Sequence, residues 1–488
     1  MNATEPIRRR ALHTPDAAAY ESASGTTVTY AIVERTINEV ARRLHARGLV
    51  PGQSAAVATD DHYRYIVAAL ALARLGVTFA PVMLPAHLTD VLLQDRGTQG
   101  NGGARTVAFE DVWPEDLLAR DDAPPVPFPD DDAAILMHCP SSGTTGGPKF
   151  VPVSHALALR RVDSRAHGPA VVAARTGSAS MRQACLVSPS TSYGFTSVLF
   201  ALCSGGTVLQ PNLDARQLPE WLARSRVDRL VGSPLALQKI AEVLPALRAP
   251  NSLAIVEAGG GALSLHVHRL VSERMCGNIY INYGSTECGR VAGAPASVTL
   301  DKAGAVGYAY PGVEIQIVDD DDEPLPLGRE GIVRIRSERN AGGYLEHAQE
   351  AALVFRSGWV YPGDRGVLEP DGLLRVVGRV DDVINRGGVK INPQTIEDAM
   401  MALGDVREVA VFGAPAGGGI TAICAAIVPI GALDADAYHA RCRERLGPQA
   451  PVLIMHLREL PRNANGKVLR HELARIALEA SSVQPASR

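Results

Sequence analysis

HCPSSGTTGGPKFVPVSH, His138 to His155, places seven consecutive serine, threonine or glycine residues ahead of Pro148 and Lys149. Backbone built from glycines and small hydroxyl residues leaves many N–H groups able to converge on one anion, and a lysine at the rim adds a mobile positive charge. Phosphate suits such a loop. It is not a Walker A loop, which needs a glycine, four residues, then Gly-Lys-Ser/Thr. Counted from Gly143, the second glycine position holds Pro148 and the hydroxyl position holds Phe150. Apolar runs flank the stretch, AAIL before it and FVPV after it. Two strands joined by a hairpin loop are therefore expected rather than a flexible tether.

Outward from this loop, the first 380 residues alternate helix and strand patterns. TVTYAIVERTINEVARRLHARGL reads as a strand and then an amphipathic helix, SAAVAT as a strand, and the pattern recurs through CLVSPS, VLFALCSGGTVLQ, VDRLVGSP and SLAIVEAGG. Such alternation predicts α/β layers with largely parallel sheets, which hold ligands at strand ends and in the loops that follow. From Gly328 the texture changes. GIVRIRS, GVLEP and LLRVVGR read as short strands joined by Gly and Asp turns, a β-rich subdomain over about 305–380. Beyond Arg379, a Gly-rich turn leads to Pro393 and a helix, REVAVFGA and TAICAAIVPI read as strands, and PRNANGKVLR precedes a last helix. The expected fold class is α/β. A large N-terminal domain, 1–380, holds layered α/β subdomains and the β-rich piece, and a small α+β C-terminal domain spans 381–488. A chain of 488 residues is too long for one ordinary core.

Composition narrows the function classes. A net charge of −4 supplies no basic field, so neither nucleic acid nor a membrane surface is an expected partner. The seven cysteines, Cys139, Cys185, Cys203, Cys276, Cys288, Cys424 and Cys442, are scattered without a CxxC, which suits reduced thiols in a cytoplasmic protein. MNATEPIRRRALHTPDAAAY carries charge with no apolar run after it, so no signal peptide is expected. The most membrane-like segment, YIVAALALARLGVTFAPVMLP, contains Arg74, Gly76 and Pro81, and reads as a buried helix running into a strand.

Five dispersed segments stand in one order: SSGTTGGPKF, GGGALS followed by NYGSTECG, GWVYPGDRG, VVGRVDDVINRGGVKINPQTIE and PRNANGKVLR. Together they resemble the adenylate-forming superfamily of acyl-CoA synthetases, aryl acid ligases, luciferases and peptide-synthetase adenylation domains, over nearly the whole chain. The resemblance implies adenylation of a carboxylic acid by ATP with Mg2+, then transfer to a thiol, coenzyme A first. It also implies that the C-terminal domain is a mobile lid.

Adenylation brings one anion, a carboxylate, onto another, the triphosphate, and expels pyrophosphate in line. Ser141, Ser142, Gly143, Thr144, Thr145, Gly146 and Lys149 are suited to hold the departing phosphates, and a magnesium ion to bridge their oxygens. By resemblance, Glu287 is the magnesium ligand and Thr286 contacts the α-phosphate. Tyr283 stacks on adenine, within the segment that includes Gly284 and Ser285, while Gly259, Gly260, Gly261 and Ala262 let backbone approach the base. Asp364 is placed to accept from the ribose hydroxyls, an acceptor-only group meeting two donors, and Arg379 to touch the same ribose or a phosphate. Lys467, far down the chain, is implied to bridge carboxylate and α-phosphate. Asp381 matches the hinge, and Gly387 and Gly388 the turn that lines the acceptor thiol channel.

Three departures limit the likeness. Phe150 follows the loop lysine where glycine is usual, Pro362-Gly363-Asp364 replaces Thr-Gly-Asp, and SPSTSYGFTSVL lacks the histidine many acyl-CoA members carry. The acid pocket is expected at Ser192, Tyr193 and Phe195. Ser192 stands where amino-acid activators carry an aspartate, and without that carboxylate a buried substrate ammonium would be unpaired. An aryl or short acyl acid is expected instead, in a freestanding enzyme. Other readings keep the adenylation but load a carrier protein or an amine, activate a non-carboxylate oxyanion, or leave only a catalytically degenerate nucleotide-binding module.

Overall fold

The computed structural model describes residues 1–97, 104–114, 130–141, 149–164, 180–212, 214, 216–245, 252–300, 302–386, 389–415, 421–462 and 468–482. The loop residues Ser142, Gly143, Thr144, Thr145 and Gly146, the turn glycines Gly387 and Gly388, and Lys467 lie outside the described residues. The chain groups into two compact units. The first holds Met1–Ser297, Ala309–Glu314 and Ile335–Pro362; the second holds Val298–Tyr308, Ile315–Arg334 and Gly363–Arg488.

The first unit is the α/β architecture expected. One sheet runs in the order Arg105–Ala108, Val91–Gln94, Ser54–Ala58, Thr78–Pro81, Ile135–Ser141, Lys149–Ser154. Its strands are parallel except for the last, Lys149–Ser154, which pairs antiparallel with Ile135–Ser141 in the hairpin that carries the glycine- and hydroxyl-rich loop. In the second sheet, Ile279–Ser285, Ile255–Gly259, Arg229–Gly232, Arg182–Cys185, Thr207–Leu209 and Ala18–Glu21 are parallel neighbours, flanked by antiparallel Gly289–Pro295 and Thr27–Thr29. Helices Tyr30–Ala46, His62–Leu75 and Ser192–Cys203 share one apolar core with strands of both sheets.

The membrane-like segment shows how this core is made. His62–Leu75 is buried continuously from Tyr65 to Leu75, so its apolar residues cover its whole circumference. Asp61 caps its start by accepting from the Arg64 N–H, and Gly76, at φ 71°, ends it in the left-handed region before strand Thr78–Pro81. The charge within it is matched: buried Arg74 donates to both Glu34 oxygens, at 2.7 and 2.8 Å. No described helix is long and apolar enough to cross a membrane. The seven thiols are free, and all but Cys203 are buried.

In the second unit, Ala305–Ala309, Leu373–Arg379 and Asp364–Leu368 form an antiparallel ladder continued by Glu330–Ile332. Beyond it, Val406–Pro415 and Thr421–Pro429 pair antiparallel, with Leu453–His456 parallel to the latter. Alternate side chains serve the two faces of this small sheet. Val411, Ile423 and Ile427 meet Ile396, Met400 and Tyr438 of helices Pro393–Met401 and Ala435–Leu446. Phe412, Cys424 and Ala426 meet Leu473 and Ala477 of Arg470–Ser482. Asp381 is exposed, in the turn at 380–382.

Candidate functional site

Ser141 and Lys149 are register partners, the last pair before the loop that joins the two strands of the hairpin. A second hairpin, Ile279–Ser285 with Gly289–Pro295, carries Thr286, Glu287 and Cys288 in its turn. It closes tightly because residue 284 is glycine: a Cβ there would stand 2.0 Å from the Gly289 carbonyl oxygen. The two hairpins meet directly. The Ser141 hydroxyl donates to Glu287 Oε1 at 2.5 Å, across 146 positions of sequence, and the Tyr344 hydroxyl donates to the same oxygen at 2.8 Å. Thr286 Oγ1 donates to the Pro140 carbonyl at 3.4 Å, and Lys149 Nζ lies 5.5 Å from the Tyr344 ring centroid.

Glu287 is 6% exposed. Burial alone would push its pKa up, but hydrogen bonds from Ser141, Ser285 and Tyr344 outweigh it and hold the carboxyl below its ordinary range. The side chain is therefore anionic near neutral pH. A single hydrogen-bonded carboxylate in contact with Ser141 fits Mg2+, which takes one or two carboxylates together with substrate phosphates and keeps several waters.

Behind this corner lies a residue that the sequence reading missed. Arg161 is 2% exposed and donates from Nη2 to the Glu287 carbonyl at 3.2 Å, from Nε and Nη2 to the Arg339 carbonyl, and from Nη1 to Ser192 Oγ at 3.3 Å. It ties the Glu287 turn, the 339 segment and the start of helix Ser192–Cys203 together. No local pattern marks it, nor Tyr344. Phe150, the departure at the loop exit, is buried against Ala80 and Leu84, and its carbonyl accepts from the Leu345 N–H at 2.8 Å.

Helix Ser192–Cys203 distributes the expected acid-pocket residues over two faces. Tyr193 donates to Glu257 Oε1 at 3.1 Å, and its hydroxyl occupies the space a Cβ at Gly259 would need, 2.9 Å away. Phe195 is buried in the core, its ring 4.6 Å from that of Phe79. Gly259 thus makes room for Tyr193. Gly260, at φ 81° with nothing near a built Cβ, is needed for the turn that follows the strand, which continues through Gly261 and Ala262. Tyr283 is half-buried near the end of its strand, and Gly284 is exposed.

The second unit brings together Asp364 and Arg379, register partners on adjacent strands joined by an Arg379 Nη1 to Asp364 Oδ1 hydrogen bond of 2.8 Å. Gly363, at φ 79°, leads into Asp364 and lies under the Arg379 guanidinium. The ends of the lysine-bearing segment are pinned by an Arg462–Val468 bridge and by Leu469 N–H donating to the Pro461 carbonyl at 2.9 Å. Arg470, in the same segment, donates to Glu397 at 2.7 Å, Asp382 at 2.9 Å and the Val411 carbonyl at 3.0 Å.

The model for AMP-binding enzymes matches residues 7–94 and 84–345, and that for the AMP-binding enzyme C-terminal domain matches residues 395–467. A feruloyl-CoA synthase from Amycolatopsis is 28% identical over 496 residues, covering 96% of this chain and 97% of that protein. A 2-succinylbenzoate–CoA ligase from Geobacillus kaustophilus is 26% identical over 493 residues, with coverages of 96% and 97%. The solved O-succinylbenzoate coenzyme A synthetase of Bacillus subtilis, in complex with ATP and magnesium ion, has the same fold. Its TM-score is 0.83 at 23% identity, over 96% of this chain and 98% of that one.

Proposed function

The chain belongs to the AMP-binding enzymes of the adenylate-forming superfamily, and from that premise we propose that it is an AMP-forming acid–thiol ligase for an aryl or short acyl acid. In the first half-reaction a substrate carboxylate oxygen attacks the α-phosphorus of ATP. The bond to the bridging oxygen breaks, and acyl adenylate and pyrophosphate result. In the second, the thiol of coenzyme A attacks the acyl carbon, its proton is lost, and AMP leaves. The observation that carries this reading is the Ser141–Glu287 hydrogen bond, which joins the base of the phosphate loop to a buried anionic carboxylate. The full-length similarity to proteins named as CoA ligases supports the thiol acceptor.

Each residue's part follows from its chemistry. Ser141, Lys149 and the loop between them hold the departing pyrophosphate, and Thr286 orients the α-phosphate. Glu287 holds Mg2+, which when bound supplies positive charge to the phosphate oxygens. Asp364 accepts from the ribose hydroxyls while Arg379 fixes its orientation. Lys467 contributes a cation to the first half-reaction, worth about 10² to 10³ in rate. Residues from Asp381 onward act as the lid, and Gly387 and Gly388 border the thiol channel.

Pyrophosphate release measured over a panel of acids, with and without coenzyme A, tests the reading. Acid-dependent release with a thioester product is expected, and Lys467→Ala is expected to lose most of it while ATP binding persists. Release without a coenzyme A product would move the acceptor to a carrier protein or an amine. ATP binding with no turnover on any acid would refute the ligase.

A further inference from the structure

Helix His155–Asp163 follows directly on strand Lys149–Ser154 of the loop hairpin, and Ser154 caps it by accepting from the Leu157 N–H. Near the end of this helix stands Arg161, 2% exposed. All of its hydrogen bonds go to uncharged acceptors, the Glu287 and Arg339 carbonyls and the Ser192 hydroxyl. Among the described residues it forms no ion pair. A buried charge without a carboxylate partner costs stability, and burial lowers the pKa of this one. The guanidinium stays protonated all the same. Its bonds to carbonyl oxygens are therefore charge-assisted, and stronger than those of a neutral donor.

Those bonds hold the Glu287 turn. The Glu287 carbonyl accepts twice, from Arg161 Nη2 at 3.2 Å and from the Ala341 N–H at 2.7 Å. Arg161 grips the same segment through the Arg339 carbonyl, at 3.2 Å from Nε and 3.1 Å from Nη2. Further along, that segment carries Tyr344, a donor to Glu287 Oε1. At the other end of the turn Gly289 has φ 66°, and a Cβ there would meet the Arg161 side chain, with Nε, Cγ and Cδ 3.2 to 3.4 Å away. One side chain thus fixes the backbone at residue 287, packs on the backbone at residue 289 and anchors the segment that brings in Tyr344.

We propose that Arg161 is a positioning residue for the metal: it holds the Glu287 turn where the carboxylate can take Mg2+ together with the phosphates of ATP, and without it the ligand remains but affinity for Mg2+ falls. The proposal rests on the reading of Glu287 as the Mg2+ ligand and deepens it. The geometry explains why the residue is arginine. Donors fixed in a planar fork reach two carbonyls and a hydroxyl at once, whereas a lysine ammonium is a single point. Groups that orient a metal ligand from behind typically contribute about 10- to 100-fold in metal affinity.

The test measures ATP binding in the absence of acid, so that turnover plays no part, as the calorimetric Kd with saturating Mg2+ and again with EDTA. Wild type is expected to bind ATP more tightly with Mg2+. Arg161→Met is expected to lose most of that gain, a weakening of about 10- to 100-fold in the presence of Mg2+, with the Kd in EDTA unchanged. Arg161→Lys is expected to recover part of it. Arg160→Met removes a bond from the same helix to the neighbouring Glu338 carbonyl and is expected to behave as wild type.

An Arg161→Met enzyme that binds ATP more weakly by the same factor in Mg2+ and in EDTA overturns the proposal and leaves the ligase standing. So does an Arg160→Met enzyme that shows the same loss, which is general loosening of the helix, and so does unchanged binding in both Arg161 variants. Wild type whose ATP affinity is indifferent to Mg2+ removes the metal reading of Glu287 and the proposal with it. Arg161→Lys keeps the charge and most of the stem, and it decides should Arg161→Met fail to fold.

Discussion

Two glutamates in the first unit are almost equally buried and do opposite things. Glu287 is surrounded by hydroxyls: Ser141 and Tyr344 donate to its carboxylate, and neither brings charge. Its negative charge is stabilised but not neutralised, so it remains available to a cation. Glu257 stands between guanidiniums, Arg229 bonded to one oxygen and Arg290 close to the other, so its charge is already met by full positive charges. The depth of burial is not what separates them. What surrounds a buried carboxylate, dipoles or full charges, decides whether its charge is left for a ligand or already paired.

Substitution at each glutamate probes this contrast, and the largest effect is expected at the charge-paired one. Glu257→Gln leaves Arg229 and Arg290 buried without a carboxylate, a loss of about 3–5 kcal/mol of stability, read as a lower urea midpoint. A midpoint equal to wild type would mean that the guanidiniums are not held by Glu257. Glu287→Gln keeps its shape and its hydroxyl neighbours while removing the charge. It is expected to cost about 10² to 10³ in the rate of acid-dependent pyrophosphate release, about 3–4 kcal/mol, with little change in the urea midpoint.

Tyr344→Phe weakens the hold on Glu287 without abolishing its charge. Loss of a hydrogen bond to a charged group is worth about 1.5–3 kcal/mol, and the consequence is pH-dependent. Because Glu287's folded pKa is depressed, its stabilisation is present above the ordinary carboxylate value and is lost as pH falls through the folded one. Removing a donor raises the folded pKa, so the acid limb of the pH–rate profile moves to higher pH. An unmoved limb would show that Tyr344 does not tune Glu287. The smallest effect belongs to Tyr193→Phe, because Glu257 keeps its guanidinium partners. About 1 kcal/mol is expected, seen as a raised KM for the acid with KM for ATP unchanged.

The legible parts of this molecule share a property. The SSGTTGGPKF loop, the GSTE turn and the PGD turn each need particular residue types a few positions apart, because one backbone conformation and one ligand group dictate them locally. The strands that flank the loop and the buried helix at His62–Leu75 were likewise readable from apolar pattern and caps. Tyr344, Arg161 and the Arg229–Glu257–Arg290 cluster left no such trace. Each is a single polar residue in an ordinary-looking segment, and its partners are strands that adjoin only in the sheet. Gly259 makes the same point. Nothing in the sequence shows that the hydroxyl end of Tyr193 lies where a side chain at this position would be.

Short-range grammar therefore established the class of chemistry and the succession of helices and strands, since those depend on conformations that neighbouring residues impose on one another. Where each buried charge finds its counter-charge was decided only by assembly of the sheets. Strand order brings Glu257 between Arg229 and Arg290, and hairpin contact brings Ser141 to Glu287. Electrostatic interaction depends on distance through space and on exclusion of water, and neither is written in the spacing along a chain.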